Sequence, residues 1–215
     1  MKLTDVRTAI YARLSEALKP HSFKLNKGQE AFVRAIPQGR QSVYISIVDL
    51  EPAFEFSVVI GLRADPVEEI AHLFSGAPEK YQKLSETAIV QLSYFTGREE
   101  TAYLVSSTQD INSATSAVST VLFDAVLPVL EECKTISALE ERVNSPQRNF
   151  NTAQPPYALL TSLALAALAN SNAFESLAFE AINVVARYPA SEREKVAQLI
   201  EYVRAKRRAH DVPTT

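Results

Sequence analysis

Residues 42–63 read SVYISIVDLEPAFEFSVVIGLR, and this stretch decides the fold class. Successive side chains of a strand point to opposite faces. In the second half, Phe54, Phe56, Val58, Ile60 and Leu62 share one parity, and Glu55, Ser57, Val59, Gly61 and Arg63 share the other. The first half divides likewise, with Val43, Ile45 and Ile47 against Tyr44, Ser46 and Val48. Leu50-Glu51-Pro52-Ala53 lies between them, where the preset φ of proline suits a turn. The pattern predicts a hairpin with one apolar face and one mixed face, as in a half-buried antiparallel sheet.

Towards the N-terminus, Leu3, Val6, Ile10, Leu14, Ala17 and Leu18 recur at helical spacing, predicting a helix over 4–19 that Pro20 stops. Short strands are expected over 21–26 and 30–36, with turns at Asn26-Lys27-Gly28-Gln29 and Pro37-Gln38-Gly39. Beyond the hairpin, Asp65, Pro66 and Glu68 mark a helix start, Ile70, Leu73 and Phe74 its inner side, and Gly76 its end. Residues 86–95 alternate as a strand, a turn is expected at Gly97-Arg98-Glu99-Glu100, and another strand over 102–105. From Thr108 the period becomes helical through Ile111, Ala114, Val118, Leu122 and Val129, with a kink or break expected at Pro128. A short helix follows over 137–143. Asn144 to Pro156 reads as a linker and 211–215 as a frayed tail. Three helices are expected between them, over 157–169, 172–187 and 191–208. The second should bury Phe174, Leu177, Ala178, Ala181, Ile182 and Val185.

The expected fold is therefore α+β: a mainly antiparallel sheet of five to six strands, packed by helices on one face, plus a C-terminal three-helix extension. The division by sequence is an α+β domain over 1–145, a linker over 146–156, and a helical extension over 157–210 packed on the first domain.

Composition narrows the function. A net charge of −3 argues against general nucleic-acid binding, which needs a strongly basic surface. The single cysteine, Cys133, rules out a disulfide framework and a thiolate metal cluster. The N-terminus lacks the apolar core of a signal peptide. The most apolar run, 157–169, falls short of the roughly 20 residues of a membrane span. A cytoplasmic protein without membrane contact is expected.

Catalytic signatures are absent. The five glycines, at 28, 39, 61, 76 and 97, build no G-x-G-x-x-G, P-loop or G-x-S-x-G. His21, His72 and His210 are scattered. Glu68 and His72, four apart, read as an exposed helix pair lacking a third metal ligand. Glu68-Glu69, Glu131-Glu132 and Glu140-Glu141 read as solvated helix surface. No cofactor or metal is expected. Lys19, Lys24, Lys27, Arg34 and Arg40 crowd the first third of the chain and suit protected strand edges or an anionic partner. Arg204, Lys206, Arg207 and Arg208 close the last helix, where cations suit the macrodipole. The candidate binding surface is the mixed sheet face with its edges: Arg34, Tyr44, Ser46, Glu55, Ser57, Gln91 and Ser93.

Leu18-Lys19-Pro20, Phe23-Lys24, Phe32-Val33-Arg34 and Gly61, followed by Leu127-Pro128 and Ser137-Ala138-Leu139, carry a likeness. Over residues 1–145 the chain resembles the bacterial domain-of-unknown-function family numbered forty-three-zero-four. The resemblance implies an α+β domain, supplies no catalytic residues, and through immunity-like relatives implies a partner such as a bacterial toxin. The function expected is a non-enzymatic protein-binding module, of immunity type in its most concrete form. The alternatives are an enzyme or small-ligand protein with a cleft between sheet and extension, holding a set such as Tyr44, Arg34 and Glu55, and a structural or regulatory homo-oligomer.

Overall fold

A computed structural model describes residues 1–97, 102–145, 150 and 155–210. The expected turn at 97–100 and the linker at 146–156 thus fall largely outside the described residues, and the tail at 211–215 wholly so.

The chain is α+β. Helix α1 (Leu3–Leu18) ends where Pro20 withholds its N–H, and a 3-10 turn (Lys19–His21) follows. Strands β1 (Lys24–Asn26), β2 (Ala31–Ile36), β3 (Gly39–Asp49) and β4 (Phe54–Ala64) come next. Then follow α2 (Asp65–Ser75), α3 (Glu79–Gln82), β5 (Ala88–Gln91), α4 (Leu92–Thr96) and β6 (Tyr103–Val105). The remainder is helical: α5 (Thr108–Val121), a π-helical turn (Leu122–Val126), α6 (Leu127–Glu132), α7 (Ile136–Asn144), α8 (Tyr157–Leu168), α9 (Phe174–Val185) and α10 (Ala190–His210).

The sheet runs β1-β2-β3-β4-β5, with β6 also paired to β4. Register follows parity. Phe32 lies opposite Val43, and Phe54 opposite Val105. Phe54, Phe56, Val58, Ile60 and Leu62 are all buried, as the quoted stretch predicts. Helices α1 and α5 supply cover on this face. Val6, Ile10 and Leu14 of α1 are fully buried, and Tyr11 meets Phe32 edge-on at 6.2 Å. Ile111, Ala114 and Val118 are the inner stripe of α5.

The break expected at Pro128 is realised one turn earlier. Proline has no N–H for the Asp124 carbonyl. The chain widens into the π turn, and the Leu127 N–H reaches back to the Leu122 carbonyl. Residues 108–132 are long and apolar enough to cross a membrane by length and composition, and Ile111, Val118, Leu122 and Leu130 among them are buried.

Three element readings need correction. Residues 92–96 are a short helix rather than strand, closed by Gly97, whose left-handed φ of 64° lets its N–H bond the Ser93 carbonyl at 2.9 Å. On α2 the inner side is Val67, Glu68 and Ala71, with Ile70 and Phe74 partly covered, while Leu73 is 65% exposed. On α9, Ile182 is exposed, beside Phe179.

The chain divides into two compact units. One comprises 1–62 with 89–134, the other 63–88 with 135–215. This differs from a single boundary near 145. The physical reason is the apolar side of α2: Ala71 shares a core with Leu160, Leu163, Phe174, Leu199 and Val203.

Candidate functional site

The expected binding residues do not form one surface. Tyr44 and Ser46 lie on the β3 parity opposite Val43 and Ile45; Tyr44 is half-buried and Ser46 exposed. Glu55 and Ser57 are half-buried on the matching parity of β4. Gln91 is exposed at the end of β5. Ser93 belongs to α4 and leaves the sheet.

Arg34 sits on the other face. It shares parity with Phe32, so register places it opposite Gln41 on the helix-covered side. There it is 8% exposed and held from several directions. Its Nε donates to Gln41 Oε1 at 2.7 Å, and one terminal nitrogen meets Glu131 Oε1 at 2.7 Å. The guanidinium lies 4.8 Å over the Phe23 ring. Gln41 in turn donates to the Leu130 carbonyl at 2.6 Å. Lys134 first, and Arg34 after it, hold the Glu131 carboxyl below the usual carboxylate range. Arg34, Tyr44 and Glu55 therefore do not converge.

What Arg34 joins is a groove of about 840 Å³ in the first unit. Pro20 ends α1, and Ser22, with φ of 66°, redirects the chain into β1. This turn sets Lys19 and Lys24 on the rim above a floor of Phe23, Leu25 and Phe32. Both lysines are exposed and make no ion pair among the described residues. Among the described residues, no carboxylate lines the groove. One terminal nitrogen of Arg34 has no hydrogen-bond partner among the described residues.

No family model, curated protein or solved structure matches this chain. The functional reading therefore rests on geometry.

The second unit holds a polar cluster that the sequence reading placed on the surface. Glu68 is fully buried. Its Oε1 accepts from the Thr87 hydroxyl at 2.8 Å. Its Oε2 accepts from the hydroxyls of Ser85 and of Tyr157, the latter at 2.6 Å. Arg63 Nη1 is 3.8 Å from the same oxygen and donates to the Gln82 and Ser85 carbonyls at 2.7 and 2.9 Å. His72, one turn along α2, places Nε2 2.9 Å from Ser85 Oγ and 3.0 Å from the Tyr157 oxygen.

The Tyr157 hydroxyl donates to Glu68, and the Ser85 hydroxyl has two acceptors in reach, Glu68 Oε2 and, at 2.8 Å, the Gln82 carbonyl. Nε2 of His72 thus meets two hydroxyl oxygens, and Nδ1 meets a third, that of Ser75 at 3.1 Å. Burial, aided by the Glu68 charge, pushes the Tyr157 hydroxyl above its ordinary range. Burial lowers the pKa of His72, and Glu68 opposes that shift. A phenol shifted upward is a weak acid. The cluster's evident work is structural: it ties α2, the 82–87 segment and α8 through one buried charge.

Spacing alone hinted at the Glu68–His72 pair. Of its partners, Ser85 precedes the expected strand over 86–95, Thr87 lies within it, and Tyr157 opens an expected apolar helix. Among the described residues, no three His, Cys, Asp or Glu side chains gather as a metal-ligand set. His21 stacks on Phe123 at 5.3 Å, and Cys133 is buried at the end of α6.

Proposed function

We propose that the chain is a protein-binding module that acts by surface fit and charge complementarity, without reaction chemistry of its own. The observation that carries this reading is the cationic groove of the first unit. Lys19 and Lys24 stand on its rim without an ion pair, aromatic and aliphatic side chains form its floor, and no carboxylate lines it among the described residues. Such a surface suits an acidic partner segment that also offers an apolar side chain to the floor. A toxin occluded by the module is the concrete partner that the family resemblance implies.

The test is affinity capture from the native host, with the Lys19→Glu/Lys24→Glu variant in parallel. Both positions are exposed, so the variant keeps the wild-type circular dichroism spectrum. A discrete protein should be retained by the wild type, released as salt rises, and lost by the variant. Equal capture by both forms, or none by either, overturns the proposal. If the captured protein is a toxin, co-expression should protect cells from it.

A specific observation favours a second reading, a homo-oligomer. Phe179 and Ile182, one turn apart on α9, are 70% and 47% exposed. Large apolar side chains adjacent on an open helix face suit an interface. Light scattering decides: under this reading the mass exceeds one chain and falls to one chain in Phe179→Ser/Ile182→Asn.

A further inference from the structure

The second unit contains a groove unrelated to the one above. It measures about 770 Å³ and is lined by Ile70, Ala167, Leu168 and Val203 on its apolar walls, and by Asn170, Tyr202, Lys206 and Arg207 at its polar end. We propose that it binds a small monocarboxylate with an apolar body.

The polar end is built by two helix ends. Helix α8 closes at Asn170, whose φ of 52° is left-handed, a conformation asparagine tolerates. Arg207 of α10 reaches this end, donating to the Ala166 and Ser171 carbonyls at 3.3 and 3.1 Å. Its guanidinium lies 4.6 Å over the Phe174 ring, which fixes its plane. Its Nε has no partner among the described residues.

Lys206, the preceding residue of α10, also lines the groove and holds its ammonium 5.7 Å over the Tyr202 ring. The Asn170 side-chain amide, the Tyr202 hydroxyl and the Lys206 ammonium make no hydrogen bond among the described residues. The macrodipole accounts for cations at the end of α10 in general. It does not account for the pattern here. Arg204 pairs with Glu175 at 2.7 Å and Glu201 at 3.0 Å, whereas Lys206 and Arg207 form no ion pair and line a groove with no carboxylate among the described residues, Arg207 acting on Glu175 only at longer range.

The chemistry selects the ligand class. Two cations, an amide and a hydroxyl on the lining of one groove complement an anion. The aliphatic walls reward an apolar tail and give a polyanion nothing further to bind. The volume lies within the range of small-molecule sites, about 300–1,000 Å³.

The experiment is amide chemical-shift titration of the full chain with three probes: octanoate, octan-1-ol and octylammonium. Octanoate should bind saturably and shift amides at 167–171 and 202–207, with octan-1-ol weaker by at least about tenfold and octylammonium silent. Lys206→Glu, an exposed position that leaves the fold intact, should weaken octanoate at least about tenfold, and Lys206→Arg should retain it. Equal binding of octanoate and octan-1-ol overturns the proposal. So does unaltered octanoate binding by Lys206→Glu, or no saturable shift at these amides up to about 10 mM octanoate.

Discussion

At the scale of single residues, the strongest commitment in the chain is Glu68. A fully buried carboxylate persists only when its lone pairs are filled, and three hydroxyls fill them here. Glu68→Ala strands the hydroxyl donors of Thr87 and Tyr157 and removes the carboxylate that faces Arg63. It should lower stability by about 3–5 kcal/mol in urea denaturation. Tyr157→Phe removes one donor and should cost about 1.5–3 kcal/mol. A larger loss from the tyrosine would show that the carboxylate is not the hub. His72 adds a pH dependence. Its folded pKa lies below the ordinary 6.5, so as pH falls the unfolded chain takes up the proton first. Its contribution is therefore full above about pH 6.5 and is lost below it. The urea midpoint should fall between about pH 7 and pH 5, and His72→Asn should flatten that slope.

Legibility at this scale was uneven. Arg34 was readable as a core-side residue, because Phe32 and Arg34 share parity and Gln41 sits opposite across the 37–38 turn. The free-edge reading weighed its charge above its parity. Glu68 was not readable in the same way, since nothing local in 65–75 announces three hydroxyls from 85, 87 and 157.

At the scale of elements, periodicity placed most strands and helices because period 2 and period 3.6 separate cleanly in long segments. It failed in a short one. Residues 86–95 satisfy strand alternation, yet Gly97 closes 92–96 as a helical turn. It also misjudged which apolar positions point inward. Leu73 and Ile182 are apolar and exposed, because a helix buries the arc its neighbours cover rather than its greasiest arc. Two substitutions measure this difference. Leu122→Ala, in the π turn and fully buried, should cost about 2–5 kcal/mol through the cavity it leaves. Phe179→Ser, 70% exposed, should stay within about 0.5 kcal/mol of wild type. Comparable losses in thermal unfolding would mean that α9 buries Phe179 in solution.

At the scale of the whole molecule, the order of the chain and the order of its cores differ. The backbone passes between units near residues 62, 88 and 134, so the second unit is assembled from two distant segments. Composition could mark 144–156 as a break, since Asn, Gln and Pro are local signals. It could not reveal that 63–88 shares a core with 135–215, because that depends on which apolar faces are left to pair. The consequence concerns fragments. A chain cut to residues 1–145 retains α2 but loses Leu160, Leu163, Leu199 and Val203, which enclose Ala71. Uncovered apolar faces do not hold a short helix, so amides 65–75 should exchange rapidly in this fragment while those of 54–60 stay protected. Residues 63–88 joined to 135–215 by a glycine-serine linker should instead protect 65–75 as in the intact chain. Equal protection of α2 in the 1–145 fragment would show that the first 145 residues form a unit by themselves, and would sink the two-segment assembly.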